Sequence, residues 1–154
     1  MAKLLNDNNS NSNIDNMNKK QIFSKTRLNL LLVTVLDSSQ VVGRVDASDT
    51  DQILQVSAIG LVQAKTIRPH KHKNTSRNTL GTQEAWVVVS GLLKANIYDI
   101  DDSLLDTISL GPGMCMILYN GGHSFDVISS DAVIYEIKNG PYYGTEFDSQ
   151  PIDQ

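Results

Sequence analysis

His70 and His72 stand two apart in a run where apolar and polar residues mix. If that run is a strand, side chains alternate between its faces, so both imidazoles leave the same face about 7 Å apart. That is a workable spacing for two ligands of one metal ion. Glu84 opens the next strand-like run and His123 a later one, so both fall at strand ends beside loops, where a site at the mouth of a β structure is assembled. Three imidazoles and one carboxylate make a mixed nitrogen and oxygen donor set. It suits one divalent Fe, Mn, Ni, Cu or Zn ion and fits Ca or Mg poorly. Glu84 is also a candidate general base, and the two roles compete, because a base needs a lone pair free of the metal.

The residues around these groups admit other readings. Arg68, Lys71, Lys73 and Arg77 surround the histidine pair, so the stretch also reads as a basic, solvated strand end that contains histidine. The same four cations offer a surface for a phosphate, since guanidinium forks match its oxygens. Arg68, Lys138 and Tyr142 are candidate substrate contacts at the rim of a site. The sequence Asn139-Gly140-Pro141 behind Lys138 is equally the way a strand stops. Cys115, the only cysteine, lies in the apolar run Met114 to Leu118 and reads as a small core residue.

The elements that must position these groups are short. From Ile22 onward, apolar or alternating runs of strand length are separated by turn-forming residues, and no segment sustains a helical period. The pattern predicts strands over Leu28–Leu36, Gln52–Leu61, Ala64–His72, Glu84–Val89, Leu92–Tyr98, Leu104–Leu110, Met114–Tyr119, His123–Ile128 and Ala132–Lys138. Breakers such as Ser90-Gly91, Gly111-Pro112-Gly113 and Asn120-Gly121-Gly122 lie between them. The polar stretch Lys73 to Gly81 reads as a loop. Many short strands in so few residues fit a sandwich, jelly roll or closed barrel. With 154 residues, the chain forms about one domain. Residues 1–20, rich in Asn, Ser, Asp and Lys, read as a flexible polar tail, and 21–154 as a single all-β domain.

A formal net charge of −4 argues against a general nucleic-acid or anionic-membrane binder, both of which need a broad positive field. The longest apolar stretch, Leu30 to Leu36, falls far short of the roughly 20 residues that span a bilayer. A single cysteine forms no internal disulfide, and no secretory leader is recognisable, so the expected compartment is the cytoplasm.

The stretch from Arg68 to Gly91 resembles the first signature of the cupin superfamily, His-x-His followed by a Glu and, six residues on, a Gly. Glu84 and Gly91 keep that last spacing. The segment from Gly111-Pro112-Gly113 to Gly121-Gly122-His123 resembles the second signature. The likeness runs over about residues 50 to 140. Gly81-Thr82-Gln83-Glu84, Gly121-Gly122-His123 and Glu136 to Tyr142 further resemble small bacterial cupins found among surface-polysaccharide genes. Two departures stand out: eleven residues separate His72 from Glu84, and Leu118 and Asn120 occupy the usual Pro and Gly positions before the last His.

This resemblance implies a double-stranded β-helix, the jelly-roll barrel, holding a divalent transition metal on His70, His72, Glu84 and His123. It implies action on a small polar molecule, a carbohydrate or sugar derivative, by isomerase- or epimerase-type Lewis-acid chemistry. The alternatives are a non-catalytic sugar-binding module, a metal-dependent dioxygenase, or a metal-free barrel in which a histidine moves protons directly. Cupins commonly pair through outer strands, so the resemblance also implies a homodimer.

Overall fold

A computed structural model describes residues 18–153 of the chain. Ten antiparallel strands form three sheets, in the order β1 (Lys19–Phe23), β2 (Leu31–Asp37), β3 (Gly43–Asp46), β4 (Ser57–Gly60), β5 (Glu84–Ser90), β6 (Leu93–Tyr98), β7 (Leu104–Leu110), β8 (Met114–Leu118), β9 (Gly122–Val127) and β10 (Val133–Lys138). A 3-10 turn at Ser38–Gln40 and one short helix, α1 (Thr145–Asp148), are the helical pieces. The large sheet runs β1-β2-β8-β5-β10, the second β7-β6-β9, and β3-β4 is a hairpin. The class is all-β, as the short alternating runs imply. The sheets face each other as a sandwich and do not close into a barrel among the described residues. The separation is local: β9 ladders only with β6, and β10 only with β5.

The large sheet is covered on both faces, which is why β2 is buried almost end to end instead of alternating. Between the two large sheets lies a core of Val33, Val35, Trp86, Val88, Met116 and Leu118 against Leu93, Ala95 and Ile97. On the opposite face, Leu36, Ala85, Cys115 and Ile117 meet Ala47, Val45 and Val56 from the hairpin region. Cys115 is therefore the core residue its apolar context suggests, and burial pushes its thiol up to about 11.

Several boundaries differ from expectation. β1 begins at Lys19, inside the stretch read as tail, because Ile22 buries its side chain against the core; residues 1–17 of that stretch lie outside the described residues. The strand expected over Ala64–His72 does not form. Residues 61–83 pair with no strand, and 61–81 are exposed throughout. Pro69 offers no N–H for a ladder, and Ile67, 62% exposed, has no apolar surface to pack against. Gln83, whose place opposite Glu84 suggests an exterior side chain, is buried. Its amide accepts a hydrogen bond from the Leu54 N–H at 2.8 Å and donates to Gln52 at 2.9 Å, tying β5 to the segment before β4. Among the described residues no helix is long and apolar enough to cross a membrane.

Candidate functional site

Antiparallel pairing of β10 with β5 sets the last residue of one opposite the first of the other, so Lys138 stands across from Glu84. The turn between β8 and β9 brings His123 to the same end of the sandwich. Gly121 makes that turn with φ +76°, where a side chain would run into the carbonyl of Tyr98, so a glycine is required. Asp99 anchors the neighbouring β6–β7 turn. Only 1% exposed, its carboxylate accepts hydrogen bonds from the backbone N–H groups of Lys25 at 2.7 Å and Ile100 at 2.8 Å. Burial opposes its charge, but hydrogen bonds from the Ser24 side chain and from the backbone N–H groups of Ile100, Lys25 and Thr26 outweigh it and hold the carboxyl below its ordinary value.

At this end His123 Nε2 lies 3.3 Å from Glu84 Oε2, and Lys138 Nζ lies 3.3 Å from Glu84 Oε1. Lys138 reaches Asp148 of α1 at 3.3 Å and Glu136 at 3.4 Å, and sits 4.8 Å above the ring of Tyr142. Thr82 donates a 2.6 Å hydrogen bond to the other oxygen of Asp148, fixing the helix to the start of β5. Trp86 stands edge-on to both His123 and Phe125, with ring centroids 4.7 and 4.8 Å away. The hydrogen bond with His123 is the main cause holding Glu84 below the usual carboxylate range; burial opposes it, and the charges of His123 and Lys138 add to it. Burial alone would lower Lys138, yet hydrogen bonds to Glu84 and Asp148 and the charge of Glu136 raise it above its ordinary value.

These side chains wall a cavity of about 680 Å³ between the strand ends and the C-terminal segment, with Glu84, Tyr98, His123, Asp148 and Ile152 on its lining. A smaller recess of about 340 Å³ shares Glu84, His123 and Asp148 and adds Trp86, Lys138 and Tyr142. The larger volume falls in the range of roughly 300–1,000 Å³ typical of small-molecule sites.

Of the residues singled out in the sequence, Glu84, His123, Lys138 and Tyr142 are thus brought together. His70, His72 and Arg68 are not. They lie on the exposed 61–81 segment, where the two imidazoles meet edge-on at 5.4 Å between centroids and His70 Nδ1 sits 3.0 Å from the carbonyl oxygen of Arg68. As placed, the four side chains do not form the ligand set that the cupin likeness implies. The Lys138 ammonium already neutralises one oxygen of Glu84, and among the described residues no three His, Cys, Asp or Glu side chains converge on a point that would hold a metal. Arg68, Lys71, Lys73 and Arg77 line neither cavity. Thr82 enters the sequence reading only within the stretch Gly81 to Glu84, and Asp148 not at all; an acid in a polar C-terminal stretch carries no periodic signal, and only the chain's return over the strand ends gives it a role.

Comparison with protein-family models, with curated proteins and with solved structures finds no match to this chain. The functional reading rests on the site itself.

Proposed function

We propose that the chain is a cupin-type jelly roll that takes a small polar molecule, a carbohydrate or sugar derivative, into the cavity beside Glu84 and His123, where His123 exchanges a proton in an isomerisation or epimerisation. The observation that carries this is the imidazole–carboxylate pair at 3.3 Å on the cavity wall, with the His123 side chain 30% and that of Glu84 14% exposed. An imidazole is the side chain suited to taking and returning a proton near neutral pH. Both oxygens of Glu84 are engaged and its carboxyl is held low, so it is a poor base; its role is to orient the ring and to stabilise the protonated form. With the Nε2 proton donated to Glu84, Nδ1 carries the basic lone pair. A proton on the carbon next to a sugar carbonyl passes to that nitrogen and leaves its electron pair in an enediolate; its return to the same carbon after the enediolate has turned in the cavity gives the epimer, and its return to the neighbouring carbon, with the hydroxyl proton passing between the two oxygens, gives the isomer.

The test is exchange of solvent deuterium into carbonyl sugars, followed by proton NMR with the full chain. Exchange that disappears in His123→Gln supports the reading. Saturable sugar binding without exchange would leave a binding module.

A second reading, a metal centre on His70, His72, Glu84 and His123, is favoured by the exposure of the histidine pair on a segment with no strand partner. A different path of residues 61–83 would be needed to bring the four together. About one equivalent of transition metal in untagged protein, lost in His123→Ala and in the double variant His70→Ala/His72→Ala, is the expected result. Unchanged metal content in either variant would refute that ligand set.

The cupin likeness implies a homodimer, and edge strand β10 is the surface assigned to it. Its outward residues Val133, Tyr135 and Ile137 are 54%, 66% and 48% exposed. Antiparallel pairing with a second copy about Ile137 would set Glu136 opposite Lys138, a self-complementary edge. Sedimentation should show a dimer that Tyr135→Glu splits; a monomeric parent chain would refute this.

A further inference from the structure

We infer that the cavity beside Glu84 and His123 favours a polyol bearing a protonated amine, an amino sugar, over the neutral sugar, and that it rejects phosphorylated sugars. This deepens the reading of the cavity as a small-ligand site and rests on it. Glu84, Asp99, Asp102 and Asp148 line the larger cavity, Glu136 joins Glu84 and Asp148 in the recess, and Lys138 is the single lysine or arginine lining either. Five acidic residues thus line the two cavities against one lysine, the Asp99 carboxylate among them turned onto backbone N–H groups. The carboxyls of Glu84 and Asp99 are held below their ordinary values, so the negative field persists at neutral pH. A cavity of one sign concentrates ligands of the other.

Lys138 shows how the site treats an ammonium: three carboxylates lie within 3.3–3.4 Å and an aromatic face lies below it. Two further observations point to a ligand. The indole N–H of Trp86, a residue 2% exposed on the wall of the recess, has no hydrogen-bond acceptor among the described residues. A buried donor left in that state is costly; the nitrogen has no exposed surface in this structure, so a ligand hydroxyl satisfies it only once the indole turns toward the recess. Trp86, Phe125 and Tyr142 also give the recess aromatic surface, suited to the C–H face of a sugar ring or to an ammonium. The basic residues that would suit a phosphate, Arg68, Lys71, Lys73 and Arg77, lie instead on the exposed 61–81 segment, outside both cavities.

The experiment titrates the full chain with D-glucosamine, D-glucose and D-glucose 6-phosphate at about pH 6.5, where an amine of this kind is protonated. The signal is fluorescence of Trp86, the only tryptophan, with saturation-transfer NMR to register silent binding. At low ionic strength glucosamine should bind roughly tenfold tighter than glucose, a preference that shrinks toward unity at about 0.5 M salt, and the 6-phosphate should bind at least tenfold more weakly. Glu136→Gln should narrow the preference for glucosamine over glucose. Equal affinity for glucosamine and glucose, or tighter binding of the phosphate, would overturn the charge preference and leave the cavity a sugar site. Absence of a saturable response to all three would overturn both.

Discussion

Removing the charge of Lys138 while keeping its stem, as in Lys138→Met, isolates the electrostatics of the site. Its ammonium is shared by Glu84 and Asp148 at 3.3 Å and by Glu136 at 3.4 Å, with the Lys138 side chain 26% exposed and those of Glu84 and Asp148 14% and 18%. Glu136, with its side chain 48% exposed, is screened by water and contributes least of the three. The two less exposed pairs fall at the upper end of values for accessible ion pairs, and their loss leaves two carboxylates close together. The expected cost at pH 7 is about 1–2 kcal/mol, read as a drop in the melting temperature of roughly 3–8 °C for a domain of this size. The pH dependence fixes the cause. Glu84 is held below its unfolded value, so its contribution is present above the usual carboxylate range and disappears as pH falls through its lowered value. Lys138 is held above its unfolded value, so its contribution is complete below about pH 10 and fades only at higher pH. The gap between parent and variant in urea unfolding should therefore be flat from about pH 6 to 9 and close toward pH 3. An equal gap at pH 7 and pH 3 would exclude the carboxylates as its source and assign the loss to the ammonium's contact with the Tyr142 ring.

Gly91 has φ +80°, and a side chain there would meet backbone atoms of Asp131 and Ala132, so Gly91→Ala should cost more than about 2 kcal/mol in urea unfolding. Gly81, at φ +81° with open space around it, should cost only about 1 kcal/mol on the same change. The double variant His70→Ala/His72→Ala should unfold within about 0.5 kcal/mol of the parent, because both rings are exposed. Cys115, buried with its thiol raised to about 11, should resist a thiol reagent at pH 8 until denaturant is added; rapid labelling of the native protein would contradict its place in the core.

The runs Glu84–Val89, Leu104–Leu110 and Met114–Tyr119 were legible because apolar residues recur between glycine and aspartate breakers, and the strands fall within a residue or so of those limits. β3 was not, since Gly43-Arg44-Val45-Asp46 is short and polar and owes its strand to pairing with Ser57–Gly60. The run Ala64–His72 looked like a strand by alternation alone, but alternation needs a face to bury, and no sheet lies beside it. The same distinction separates the site residues. Glu84, His123 and Lys138 are anchored by ladders that end at one point, so strand-end positions in the sequence located them. His70 and His72 were paired by a spacing that means something only in a strand, and Asp148 became visible only once α1 was seen to return to Thr82 and Lys138.

We propose that His123, oriented by Glu84, exchanges a proton with a carbonyl sugar in the cavity. The most direct measurement is proton NMR of a panel of ketoses and keto sugars in deuterated buffer with the full chain, beside His123→Gln and Glu84→Gln. The signal next to the carbonyl should disappear with the parent and persist with His123→Gln, and exchange should slow by about tenfold to a hundredfold with Glu84→Gln. Exchange that persists undiminished in His123→Gln would contradict it.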